Sequence, residues 1–261
     1  MNKSLNTRMP VIFIGHGSPE NAIEKNEFSD SWKNIAKNIP RPKAIICISA
    51  HWTSNETKVT MMENPKTIHD FYGFPKKLYD MQYPAPGSVN LAESIIKTVK
   101  TVRVKPDLDW GLDHGTWSVL ANMYPDANIP VVQLSLDESL PIEKHLEIGE
   151  ELTKFRDEGV LIIGSGNAVH NLSAMNPSGK EYEWAVSFDK FVKERLEEKD
   201  SKSLVEYKKK SSARYAVPTN EHYLPLLYVL GVSNGDEPKF YCEKIFYASL
   251  SMRCVVYGMD S

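Results

Sequence analysis

The chain has little cysteine, no excess of either charge and no long apolar run. Three of its 261 residues are cysteine (Cys47, Cys242 and Cys254), an odd number without CxxC spacing. This argues against a disulfide framework and against a cysteine metal site. Any metal must then be held by histidine and carboxylate. With 31 Lys and Arg against 34 Asp and Glu, the net charge is −3. That balance gives no electrostatic reason to expect nucleic acid or an anionic membrane as partner. The longest apolar runs fall far short of the ~20 residues that span a bilayer. The run after Lys3 and Arg8, Val11 to Ile14, is too short for a signal-peptide core of ~7–15 residues, so the expected compartment is the cytoplasm. No internal repeat and no linker rich in Gly, Ser or Pro is present. Neither GxGxxG nor a Walker sequence occurs, which leaves a nucleotide reading weak.

What is present is an ordinary globular composition, 41% hydrophobic and 25% charged. Apolar runs bounded by turn residues read as buried strands at Val11–Ile14, Ala44–Ser49, Val131–Leu136 and Val160–Ile163, with KVTMME (58–63) a weaker candidate. KFYCEKIFY (239–247) and MRCVVYGM (252–259) look like strands of a mixed or antiparallel edge. Helical patterns lie between them: 88–100 with Ser88 as N-cap, 114–125, 141–159 from Pro141 to Gly159, 181–199, and 220–231. Strands alternating with helices predict an α/β fold: a single domain over residues 10–261, behind a flexible N-terminus of residues 1–9, with a mostly parallel or mixed central sheet flanked by helices. The region from Pro65 to Pro86 reads as a long loop, too aromatic to be disordered and so expected to be functional. The heavily charged stretch 180–210 reads as a solvated helical face.

Seven histidines carry the chemistry. His16 follows the first strand and His51 the second, and in an α/β sheet the carboxyl ends of strands line the ligand crevice. His170 lies beyond another strand and the glycines of GSG (164–166), which permit a tight turn or a close backbone approach. His114, in LDHGTW, precedes a short helix, and His222, in NEHYLPLL, sits at a helix start. Glu221 and His222 point ~100° apart on a helix, so only one of them meets a given metal. His145, among Glu143, Lys144 and Glu147, reads as a surface residue. His69 is a lid, pocket-wall or plain loop residue. A divalent metal draws three or four ligands from such separated places, and imidazole suits Zn(II) or Fe(II) better than Mg(II) or Ca(II). Histidines left over can serve as general acid or base.

Seven motifs in order give the pattern a likeness: GHGSP (15–19), SAHW (49–52), HDFYGFP (69–75), YPAPG (83–87), LDHGTW (112–117), GSGNAVHN (164–171) and NEHYLPL (220–226). The chain resembles the class III extradiol ring-cleavage dioxygenases of LigB type, and within them the 4,5-DOPA extradiol dioxygenase-like group. The resemblance implies a mononuclear non-haem metal at the carboxyl ends of the strands, held by His16, His51 and His222. It makes His170 either a fourth ligand or an acid–base group, and His114 a second acid–base group. It also implies a catechol and O2 as the small-molecule partners, with the ring bond beside the diol cut and both oxygen atoms inserted. Trp52, His69, Tyr72 and Phe74 are the candidates to contact substrate. Where the wider superfamily uses two histidines and a carboxylate, this chain resembles the group with a third histidine, His222, beside Glu221. Fe(II) is expected for activity, and Zn(II), which lacks redox chemistry, as a metal that a purified protein can carry. Two other readings stay open. One is a zinc hydrolase built on the same histidines; the other is a non-catalytic, Memo-like metal-binding interaction protein. The exposed aromatics leave room for a homodimer.

Overall fold

The four apolar runs become the centre of one sheet. In the computed structural model, which describes residues 8–259, the strands in chain order are β1 (Val11–Gly15), β2 (Ala44–Ser54), β3 (Lys58–Thr60), β4 (Lys105–Asp107), β5 (Val131–Asp137), β6 (Val160–Gly166), β7 (Pro238–Tyr241), β8 (Ile245–Phe246), β9 (Leu250–Ser251) and β10 (Cys254–Tyr257). Eight of them form a mixed sheet in the order β4-β3-β5-β2-β6-β1-β10-β7, and β8 and β9 pair separately. The inner strands β5, β2, β6 and β1 are parallel. Antiparallel β10 and β7 close one side.

The inner strands are buried at almost every position, and mostly apolar, because both faces of the sheet are covered. Side chains alternate, so Val11, Phe13, Ile46, Ile48, Val132 and Leu134 face one layer. Ile12, Ile14, Ile45, Cys47, Val131 and Ile163 face the other. On the first face lie the helices Val89–Thr98, Ile142–Leu152, Glu183–Glu197 and Leu224–Ser233; on the second lie Glu27–Lys37 and His114–Met123. The Leu224–Ser233 helix is buried almost all round, which is why it is apolar on every side.

Several expectations change. The second strand does not stop at Ser49. It runs to Ser54, with its pairing to β5 irregular between Ile48 and Thr53, so His51 stands inside an irregular strand rather than past its end. The 141–159 pattern breaks at Thr153 into Ile142–Leu152 and Lys154–Asp157. The 239–247 strand breaks at Cys242, whose φ of 53° leaves the extended region. The helix Glu27–Lys37 was not anticipated, although an Asn26–Ser29 capping box opens it and Phe28, Trp32 and Ile35 bury at helical spacing. The charged 183–197 helix keeps a solvated face but buries Ala185, Phe188, Val192 and Leu196. His145 is not a surface residue: it is buried, and its Nδ1 meets Tyr228 Oη at 3.1 Å. Of the expected flexible N-terminus, residues 1–7 lie outside the described residues; Met9 is buried and its amide donates to Arg156 O. No described helix is long and apolar enough to cross a membrane.

Candidate metal centre

Five histidines meet at the carboxyl end of the inner strands. His16 follows β1, where Gly17 turns the chain at a φ of 61° and a side chain would strike Met252. His51 projects from the irregular part of β2, the kind of place where a bulge re-aims a side chain. His114 opens its helix behind the N-cap Asp113, which accepts from Thr116 N. His170 follows β6, and His222 immediately precedes the Leu224–Ser233 helix. One ligand atom each from His16, His51 and His222 falls within 4.8 Å of the others. His170 forms such a set only with Glu221 and His222, and His114 only with His51 and Asp70.

The hydrogen bonds around two of the three converging imidazoles fix which nitrogen is free. The hydroxyl of Ser165 donates to Gly115 O at 2.5 Å, so its oxygen accepts from His16 Nδ1 at 2.9 Å. His51 Nδ1 faces Asp70 Oδ2 at 3.4 Å, and His222 Nδ1 faces Glu221 Oε1 at 3.2 Å. A carboxylate, or a hydroxyl that already donates, only accepts here, so His16 and His222 carry their proton on Nδ1 and leave Nε2 free, while His51 stands in electrostatic contact with Asp70 rather than in a hydrogen bond. Partners on the far nitrogen are how metal-binding histidines are oriented. The Nε2 atoms of His16 and His51 stand 3.1 Å apart. With His16 Nε2 an acceptor, that separation is a hydrogen bond when His51 Nε2 holds a proton, and a cation in the proton's place would meet both nitrogens, so this donor set fits a metal.

Electrostatics keep the donors neutral. Burial, then the neighbouring imidazoles, hold His16 and His222 well below the usual histidine range. Burial lowers His51 to about 3, helped by His114 and opposed by Asp70, and lowers His170 to about 4. Metal ligands must be unprotonated, and these are at neutral pH. Burial pushes the Asp70 carboxyl up, but its bonds to His114 and the imidazoles nearby leave it lowered overall and ionised. Asp70 Oδ2 accepts from His114 Nδ1 and Oδ1 from His114 N, both at 2.8 Å. Asp113, buried behind these groups, is raised by burial and by Asp70 despite its bonds to Gln133 and Ser49.

Above the histidines is a cavity of about 450 Å³, large enough for a single aromatic ring with a side chain. His16, His51, His114, His170 and His222 line it, with Phe71, Tyr72, Phe74, Phe246 and Tyr247 among its aromatic walls. His170 stacks on His222 with ring centroids 3.4 Å apart. Tyr72 is 93% exposed at the mouth. The structure does not bring Trp52 or His69 to this wall. Trp52 is buried and stacked on Trp110, and His69 Nε2 bonds Met81 O at 2.9 Å. The residue that sequence reasoning missed is Asp70. It stands inside the HDFYGFP motif, but a loop carboxylate has no periodicity to mark it. Phe71 and the 246–247 pair, brought in from the far end of the chain, were missed for the same reason.

Known proteins share this arrangement's sequence. A family model for the catalytic LigB subunit of aromatic ring-opening dioxygenase matches residues 7–256. The chain is 48% identical over 259 residues to an Escherichia coli K12 protein named 4,5-DOPA dioxygenase extradiol, covering 97% of this chain and 96% of that one. It is 38% identical to a Beta vulgaris protein of the same name, covering 88% of each. A crystal structure of an uncharacterized protein from Escherichia coli K12 superposes with a TM-score of 0.84 at 42% identity, covering 96% of this chain and 100% of that one.

Proposed function

The chain belongs to the LigB family of aromatic ring-opening dioxygenases, and from that premise we propose that it opens DOPA-like catechols beside the diol at a mononuclear metal held by His16, His51 and His222. The observation that carries the proposal is the convergence of three imidazoles, with the Nε2 atoms of His16 and His51 facing each other at 3.1 Å and a ring nitrogen of His222 within 4.8 Å of the ligand atoms of both. Three protein ligands leave coordination positions for a substrate, as in catalytic rather than structural sites. An iron ion, when bound there, supplies a redox path between catechol and O2 and lowers the pKa of the catechol oxygens, whereas zinc has no redox chemistry.

The remaining residues bind and move protons. Phe71 and Phe74, in edge contact at 5.3 Å, form an apolar wall that suits a ring and keeps water from it. His170 has a ring free of side-chain hydrogen bonds among the described residues and lines the cavity. Burial keeps it neutral, and its ring forms no ligand set with His16 and His51 among the described residues, which supports an acid–base role over a fourth ligand. His114 is held by Asp70 through Nδ1, which orients Nε2 to exchange a proton with the ring-opening intermediate. Asp70 and Ser165 are positioning residues: they act through His114, His51 and His16.

The test is direct. Metal is stripped, Fe(II) is loaded without oxygen, a panel of catechols is added, and air is admitted. Oxygen uptake with a yellow ring-opened product is expected. The reading fails if no catechol consumes oxygen on the iron protein while the zinc protein hydrolyses esters or amides.

A further inference from the structure

The cavity wall carries fixed charge of one sign. Its charged lining residues are two carboxylates, Asp70 and Glu20, with no lysine or arginine among the described residues. Asp70 is engaged by His114 and His51. Glu20 accepts only from Ser18 Oγ, at 3.2 Å, and enters no ion pair among the described residues. It stands in the short turn Pro19–Ala22, just after His16 and Gly17. His16 is buried and Glu20 half-buried, so this one segment climbs from the floor of the cavity toward its mouth.

We propose that Glu20 makes the site select catechols by the charge of the side chain, favouring a protonated amine and disfavouring a lone carboxylate. The proposal rests on the ring-cleavage reading and narrows its substrate class. A catechol whose two oxygens meet the histidine floor directs its side chain outward along the wall that Glu20 occupies. An ammonium group there gains a carboxylate partner and the faces of Phe71, Phe74 or Phe246, which attract cations. A carboxylate there finds no cation and meets a like charge, which opposes binding. For a partly solvated pair the discrimination is about tenfold. A catechol with both groups, as in an amino acid, falls between the two.

The experiment uses three catechols bearing an aminoethyl, an ethyl or a carboxyethyl group at the same ring position. The full chain loaded with Zn(II) binds without oxidising them, so calorimetry reads affinity alone; the Fe(II) protein then yields kcat and KM. The aminoethyl compound is expected to bind about tenfold tighter than the carboxyethyl one, with the difference in KM and shrinking as salt is added. Glu20→Gln collapses the ratio toward one and Glu20→Lys reverses it. Equal wild-type affinities, or a ratio unchanged in Glu20→Gln, overturn the proposal. Thermal unfolding of Glu20→Gln separates loss of fold from loss of charge, and a salt dependence lost in folded Glu20→Gln assigns the preference to Glu20 rather than Asp70. Catechols opened without charge preference refute the role of Glu20 and leave ring cleavage standing. Preferential binding with no oxygen uptake on the iron protein does the opposite.

Discussion

Gly166→Ala tests how tightly the sheet and the metal centre are joined. Gly166 ends β6, and its carbonyl accepts from His16 N at 3.0 Å. A Cβ built on it would lie 2.1 Å from His222 O and 3.3 Å from Pro225 Cγ. Ordinary contact begins at 3.4 Å, so the His222 contact has to open from 2.1 Å to at least that distance. His222 cannot yield freely, because its carbonyl also accepts from Asn167 N and the buried Leu224–Ser233 helix follows it at once. Overpacking of this kind costs about 1–3 kcal/mol, which lowers the melting temperature by about 2–10 °C in a chain of this size. Ligand positions are held to about 0.2 Å in a working site, so displacing His222 should weaken metal binding about 100-fold. Thermal unfolding of the metal-free protein and titration with Zn(II) measure the two effects separately. A variant that melts within about 1 °C of wild type and binds metal within about threefold would refute the reasoning.

Three further outcomes follow. Asp70→Asn removes the carboxylate facing both His114 and His51; metal affinity should fall about 10–100-fold, and kcat should fall further on metal-saturated protein, checked by stopped-assay kinetics at full loading. His16→Ala should abolish stoichiometric metal content by elemental analysis, whereas His145→Ala should retain it and lose about 1–3 kcal/mol of stability from the lost Tyr228 bond and the void. The third concerns pH. Burial lowers His145 to about 4 from 6.5, so below 6.5 the unfolded chain binds its proton first. Its contribution is complete above pH 6.5 and is lost as pH falls toward 4. The unfolding free energy of the metal-free protein, measured in urea, should rise with pH across that window, by up to about 1.4 kcal/mol per pH unit for this one group, and the rise should be shallower in His145→Ala.

Local pattern carried the architecture further than it carried the site. The apolar runs at 11–14, 44–49, 131–136 and 160–163 announced inner strands because a strand covered on both faces is apolar at most positions, the buried Gln133 and Ser49 being held by hydrogen bonds to Asp113. The helix Glu27–Lys37 went unread, although Asn26 caps it and Phe28, Trp32 and Ile35 recur at helical spacing. His145 shows the limit of reading neighbours alone: Glu143 and Lys144 beside it are charged, yet Ile148, Gly149 and Leu152, on its own side of the helix, are buried with it. The break in β2 left no mark in sequence, since it arises from the pairing of Ile48 with Leu134 and Thr53 with Leu136.

By itself, the sequence determined the chemistry on offer: seven imidazoles, no thiolate set, and an aromatic loop after residue 65. The tertiary structure alone decided which of these groups meet. His16 and His222 are far apart in the chain, and they converge because β1 pairs with β6 and the Leu224–Ser233 helix packs against both strands. It also decided that Asp70, Ser165 and Glu221 stand against the Nδ1 atoms of the three imidazoles, and that the Nε2 atoms of His16 and His51 face each other at 3.1 Å. Residue type sets which bonds a group can make, while convergence and the choice of free nitrogen depend on contacts between distant segments, which exist only once the sheet has assembled.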